Sequence, residues 1–403
     1  MQKNIKIPLF LLYFFFLFPL VLSIILNAPP SSVLTSGSLS VRNYGEIFAL
    51  FLCGTYILLN SRFIIENYFK NKLLRPFFLL ASLYYISTLW SEYKIFTLFR
   101  TTEFFFIGII ALITYNNLAT ENKKLDLSGV RKYLFHIVII GILYSFLMRY
   151  AFSGIVISRN FLADNAISLS IVGSLLICFF HNFFLKDKNK ILYFFLFSFF
   201  FLSYSLTAIL SLAICLIYLY LSKFNNNSKN FYLIIIIILL IFYFFIGGSR
   251  IVDEILAFVS SRPIDRISHL TGREKIWELI FFELKDNFLG SGFATDMYIL
   301  LDNYNRNIIG KISSGHNTYL EGYIAAKWLG VGIILYSFYF WFKNSQKFFP
   351  KKYSPLIQSL IFFAIISGFT TSGYGGSLVS NPYILFWVTF TPLVIFKNND
   401  QPN

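Results

Sequence analysis

The sequence predicts an all-α, polytopic helical membrane protein with about 12 transmembrane helices and one long outer, helix-bearing loop. Three observations carry this. Hydrophobic residues make up 57% of the 403 and charged residues only 13%, with a mean hydropathy of +0.66, so too few polar side chains exist to clothe a water-facing surface. Apolar runs of about 20 residues, the length that crosses a bilayer, recur along most of the chain. Lys and Arg collect in alternate loops between those runs, as cytoplasmic loops do.

The first run, 7–26, follows Lys3 and Lys6 and could be mistaken for a secretory leader. It is longer than a leader's apolar core, has no convincing small-residue cleavage site and precedes many similar runs, so it reads as the first span. Spans follow at 44–60, 76–91, 95–115, 133–152 and 161–184. The stretch 191–221 would measure about 46 Å as one straight helix, beyond a hydrocarbon core of about 30 Å. It therefore reads as two short spans, 191–204 and 206–221, turning near Ser203-Tyr204-Ser205. Further spans at 231–246, 317–342, 353–372 and 382–396 complete the set. Cys53, Cys178 and Cys215 all lie in apolar runs and read as core fillers, not as a disulfide framework or a thiolate metal site.

With both termini in the cytoplasm, Lys3, Lys6, Arg62, Lys70, Lys72, Arg75, Lys123, Lys124, Arg131, Lys132, Lys186, Lys188, Lys190, Lys223, Lys229, Lys343, Lys347, Lys351, Lys352 and Lys397 all fall inside. The short outer loops then hold only Arg42, Lys94 and Arg159. A single span over 191–221 would put every later loop on the wrong side, so the charge pattern supports the hairpin. The net charge of +15 is accordingly an orientation signal and not a nucleic-acid footprint.

This plan divides the chain into an N-terminal bundle, 1–246, an outer loop or cap, 247–316, and a C-terminal bundle, 317–403. The outer loop carries eight basic and nine acidic residues over residues 247–315. A structureless loop of that length is unusual, and Trp277, Ile280, Phe281 and Leu284 recur at helical spacing, so 262–284 is expected to be helical. Basic residues are also sorted by type. Lys dominates the cytoplasmic loops, whereas Arg42, Arg100, Arg149, Arg159, Arg250, Arg262, Arg266, Arg273 and Arg306 lie outside or near outer span ends. A guanidinium fork grips phosphate oxygens two at a time, where an ammonium acts as a point charge, so the outward Arg set suits a pyrophosphate group. Simple ion pairing with Asp253, Glu254, Asp265, Glu274 or Glu278 accounts as well for Arg250, Arg262 and Arg266.

Several motifs converge on one family. Thr271-Gly272-Arg273 precedes Trp277; Asn287-Phe288-Leu289-Gly290-Ser291-Gly292-Phe293 follows; then come Gly315-His316-Asn317-Thr318-Tyr319-Leu320 and, downstream, Gly330 and Gly332. Shorter echoes stand at Leu89-Trp90-Ser91 with Arg100 and at Arg159-Asn160-Phe161-Leu162-Ala163. With this span plan, the chain resembles the O-antigen ligase and Wzy polymerase superfamily. The resemblance implies transfer of glycan from undecaprenyl pyrophosphate to an acceptor hydroxyl at the periplasmic face of the bacterial inner membrane, with no metal and no nucleotide cofactor. It implies that Arg273 engages the lipid-linked donor and that His316 activates the acceptor. Two departures stand out: the turn at Ser203-Tyr204-Ser205-Leu206-Thr207 lacks the basic residue the family often has there, and a glycine of the family pattern is replaced by Lys327.

The chemistry fits these residue types on its own terms. Displacing a sugar from pyrophosphate builds charge on the leaving phosphate, which a fixed cation stabilises, while a base assists the attacking hydroxyl. Arg273 can do the first, with Arg159 and Arg306 as helpers, and His316 the second. Asn160, Asn317, Arg100 and Lys327 complete the candidate substrate-binding set, although Asn317 serves equally well as a helix N-cap. Ionisable groups within spans are costly and face a cavity or a partner. Glu103 and Lys327 lie at similar depth and are expected to pair; alternatively Lys327, eleven residues beyond His316 and so on nearly the same helix face, lines the site.

The resemblance leaves two acceptors open: lipid A-core, for a ligase, which is the favoured reading, or a growing glycan, for a Wzy-type polymerase. A flippase and a chain-length regulator are the expected neighbours. A lipid-oligosaccharide flippase is the alternative class. It should show internal repeats and a central polar pathway, whereas here the long outer loop belongs to one half of the chain only. No nucleotide loop, no His pair of metal-ligand spacing and no nucleophile elbow occurs in the sequence.

Overall fold

The computed structural model describes Leu11, residues 41–69 and 72–120, Ile177, and residues 206–222, 273–295, 317–348 and 354–369. Among these residues every element is helical. They are α1 (Val41–Leu59), a short α2 (Ser61–Ile64) continued by a π turn (Ile65–Phe69), a 3-10 turn (Lys72–Leu74), α3 (Arg75–Ser87), α4 (Lys94–Thr120), α5 (Leu206–Leu221), α6 (Arg273–Leu284), α7 (Thr318–Phe348) and α8 (Ser354–Ser367). The runs expected at 44–60, 76–91, 95–115, 206–221 and 353–372 thus carry α1, α3, α4, α5 and α8. The expected spans 133–152, 191–204, 231–246 and 382–396 lie outside the described residues, as do 7–26 and 161–184 apart from Leu11 and Ile177.

Helix ends follow local chemistry. Pro76 sits in the first turn of α3, where its missing N–H has no intrahelical role. The same helix stops at Ser87, short of the expected 91, because the Ser87 and Thr88 hydroxyls turn back onto the Tyr84 and Tyr85 carbonyls and the chain then bends through 88–93 into α4.

Thr318–Ser345 is the one helix among the described residues long and apolar enough to cross a membrane by length and composition. It is not straight, which corrects the single span expected at 317–342. Ala326 (φ −156°, ψ 38°) and Lys327 (φ 52°, ψ −142°) leave helical geometry and split α7 into two arms, 318–325 and 328–348. Gly322 and Gly330 would lie about 12 Å apart on a continuous helix. Instead, a Cβ added to Gly330 would come within 2.7 Å of the Gly322 carbonyl carbon, so the arms fold sharply onto each other. Residues 328–345 of the second arm are about 27 Å long and match the hydrocarbon thickness by themselves.

The helices pack in a chain of neighbours: α1 on α4, α4 on α3, α3 on α7, α7 on α8 and α8 on α5, with α6 laid on α7. Close approach and polar bonds join these apolar helices. At Gly54 of α1 a Cβ would meet the Phe106 ring of α4 at 2.6 Å; the glycine lets the two helices close up. Between α5 and α8, Cys215 Sγ donates to the Ser359 carbonyl at 3.1 Å and Ser359 Oγ donates to the Cys215 carbonyl at 3.3 Å. One turn on, the Tyr218 hydroxyl meets Gln358 Oε1. Each such bond contributes roughly 0.6 kcal/mol and at most about 1.7. Cys53 and Cys215 are buried free thiols, as expected of core fillers, and Cys178 lies outside the described residues.

Candidate functional site

α6 forms where the apolar spacing places it. Ile280 and Leu284, one turn apart, are buried against Leu320, Tyr323 and Ile324 of the first arm of α7, with Trp277 packed at the margin. Phe281, expected on the same face, is 44% exposed and meets this cluster edge-on at Tyr323, with ring centroids 5.0 Å apart. Of the helix expected over 262–284, residues 273–284 are described and are helical, with Arg273 among them.

Beyond Leu284 the chain makes a tight descent. Asn287 Oδ1 accepts from the Leu289 and Gly290 amides at 3.1 and 3.0 Å, a side-chain-closed turn. Gly290 and Gly292 then take φ of 91° and 100°, where glycine carries no steric cost. They also pass so near their neighbours that a Cβ would meet the Ile324 carbonyl oxygen and Ser91 Cβ, each at 2.5 Å. The loop ends with Phe293 stacked on Tyr84 at 4.0 Å and edge-on to Phe104, its amide donating to Ser87 Oγ at 3.1 Å. Ser91 Oγ in turn lies 2.8 Å from Thr97 Oγ1.

The break in α7 is where these pieces meet. Ending a helix leaves its last carbonyls without intrahelical donors. Here the Ile324 carbonyl accepts from the Ser291 amide at 2.8 Å and the Ala325 carbonyl accepts from the Trp90 indole Nε1–H at 3.0 Å. Lys327 Nζ donates to the Leu284 carbonyl at the end of α6 and, at 3.3 Å, to the Tyr323 hydroxyl. Leu89-Trp90-Ser91, the loop Asn287 to Phe293 and the helix after Gly315-His316-Asn317, three fragments far apart in sequence, are thus one assembly.

The start of α7 is equally fixed. Asn317 Oδ1 accepts from the Tyr319 and Leu320 amides at 2.8 and 3.0 Å, an N-cap, so this candidate is occupied as a cap. The Thr318 amide donates to the Gly368 carbonyl at 2.8 Å and the Tyr319 hydroxyl to the Ile365 carbonyl at 2.8 Å, anchoring the same turn to the end of α8. Asn317→Ala is expected to lower stability by about 1 kcal/mol while Asn317→Ser holds it, read by denaturant titration in mixed micelles.

The expected Glu103–Lys327 pair is corrected. Glu103 Oε2 is bound by Arg100 Nη1 at 2.8 Å, three residues earlier on α4, with both side chains buried. The Arg100 guanidinium also lies 5.2 Å from the Phe96 ring centroid and 5.4 Å from that of Phe99. The helical repeat that would carry Lys327 onto the face of His316 stops at Ala326 and Lys327, which leave helical geometry. Glu321, to which sequence reasoning gave no role, is fully buried on the first arm. A carboxylate inside an apolar run was its visible signal. His316, Arg159, Asn160 and Arg306 lie outside the described residues, and of Arg273 the backbone alone is placed.

No curated protein matches the chain. Residues 191–326 match the family Wzy_C, described as O-antigen ligase. The matched segment takes in α5, α6, the glycine loop and the first arm of α7, and ends beside the break.

Proposed function

We propose that this chain, whose residues 191–326 support its membership of the O-antigen ligase and Wzy superfamily, is a membrane glycosyltransferase that moves glycan from undecaprenyl pyrophosphate to an acceptor hydroxyl. The carrying observation is that one continuous matched segment holds both Arg273 and His316. Geometry supports their cooperation. The C-terminal end of α6, the helix that carries Arg273, is fastened at the break to the end of the first arm of α7, the helix that Asn317 caps.

In the reaction the acceptor oxygen forms a bond to the anomeric carbon as the bond from that carbon to pyrophosphate breaks. The hydroxyl proton passes to His316, and the negative charge growing on the leaving pyrophosphate is met by Arg273. Arg159, Asn160 and Arg306 are assigned to the remaining donor contacts. Arg100, already engaged by Glu103, is not.

The favoured acceptor is lipid A-core, at the periplasmic face of the inner membrane, with the chain's termini in the cytoplasm. The test is the gel profile of envelope glycolipid from cells lacking this chain, with and without the intact gene restored. Loss of all decorated core with lipid-linked polymer accumulating supports a ligase. Core bearing a single repeat assigns the chain to the polymerases instead, and an unchanged ladder removes it from O-antigen assembly.

A further inference from the structure

Lys327 combines three features that the transfer chemistry leaves unused. Its backbone sits at φ 52°, ψ −142°, a conformation that glycine adopts freely and a side chain resists. Its ammonium closes the C-terminus of α6 by binding the Leu284 carbonyl, which also accepts from the Asn287 amide at 3.1 Å. The same ammonium donates to the Tyr323 hydroxyl and lies 4.8 Å from the centroid of that ring. A cation at a helix C-terminus is favourable in general. Here the cation comes from another helix, so the bond sets the position of α6 as well as capping it.

We propose that Lys327 is a positioning residue, a clasp that fixes α6, the helix that carries Arg273, against the break in α7 and, through the first arm, against the turn that follows His316. The proposal rests on the glycosyltransferase reading for its functional part and on the contacts alone for its structural part. The backbone at 327 suits glycine, so a lysine there holds its place through what its side chain does. The clasp has two supports beside it, since Ser291 and Trp90 secure the Ile324 and Ala325 carbonyls on the same break. Lys327 is the one of the three that reaches α6 itself.

The test uses the full-length chain reconstituted in liposomes, with nitroxide labels on Glu278→Cys in α6 and Tyr339→Cys in the second arm, in a background of Cys53→Ala, Cys178→Ala and Cys215→Ser. Lys327→Met and Lys327→Gly are each expected to broaden or displace the inter-label distance distribution, and Lys327→Arg to restore it. Under the same conditions kcat for glycan transfer from a lipid-linked donor should fall by about 10²-fold in Lys327→Met and Lys327→Gly, with little change in donor KM, because misplacement harms the reacting geometry more than binding. The glycine variant separates this from a purely structural role: freed of the positive-φ strain, it would be at least as active as the parent if Lys327 only filled space. Unchanged distances in both variants, or altered distances with unchanged kcat, overturn the proposal. Absence of any transfer by the parent chain overturns the glycosyltransferase reading instead and leaves the distances to decide the clasp.

Discussion

Gly330→Ala is expected to prevent this chain from accumulating in folded form, whereas Gly332→Ala, two residues later, is expected to be harmless. At Gly330 a Cβ runs into the carbonyl carbon of Gly322 at 2.7 Å, backbone against backbone, with no flexible side chain able to retreat. Relief would require the two arms of α7 to part, dislodging the contacts that Ser291 and Trp90 make with Ile324 and Ala325. Overpacking of this kind costs up to about 3 kcal/mol, occasionally more. At Gly332 a Cβ would meet nothing within 4 Å, and alanine is better than glycine in a helix by roughly 1 kcal/mol. Size-exclusion profiles of fluorescent fusions, with melting temperatures in detergent, check both. Equal tolerance of the two substitutions would mean that α7 runs straight.

Arg273→Ala and His316→Ala should each leave the chain folded and membrane-inserted yet strip it of transfer. Loss of a positioned base lowers rate by about 10²–10⁴-fold, and loss of a fixed cation facing a developing oxyanion by about 10²–10³-fold. Arg273→Lys should recover little, because a point charge cannot copy a two-pronged grip on phosphate oxygens. The assay is transfer from a radiolabelled lipid-linked donor in liposomes, paired with a melting curve for each variant. Loss of stability in step with activity would count against both assignments, and full activity in either variant would remove that residue from the chemistry.

The helices at Val41–Leu59, Leu206–Leu221 and Ser354–Ser367 were legible because their apolar runs are long and end in polar or turn residues. α6 was legible from the spacing of Ile280 and Leu284. The break at Ala326-Lys327 was not: no proline interrupts the run, and the residue there is a lysine, so the strongest local sign was a glycine of the family pattern missing at that position. The partner of Glu103 was within reach, since Arg100 stands three residues earlier on one helix; depth in the span pointed instead to Lys327. The use of Trp90 as a donor to a backbone carbonyl 235 residues away is a tertiary fact with no local signature. Arg273 and His316 were singled out by motif and chemistry, and Asn317 turned out to be a cap whose residue type had allowed either role.

The anchoring of Thr318 and Tyr319 onto Gly368 and Ile365 bears on how the protein is made. A ribosome delivers residue 318 well before residue 368. The first turn of α7 is therefore made before its partners at Gly368 and Ile365 exist, and α8 must be made and docked before that turn is complete. A nascent chain halted before residue 368 would hold every motif residue and still lack the finished turn beside His316. The first turn of α7 is thus completed late in synthesis, by a helix that carries none of the motifs.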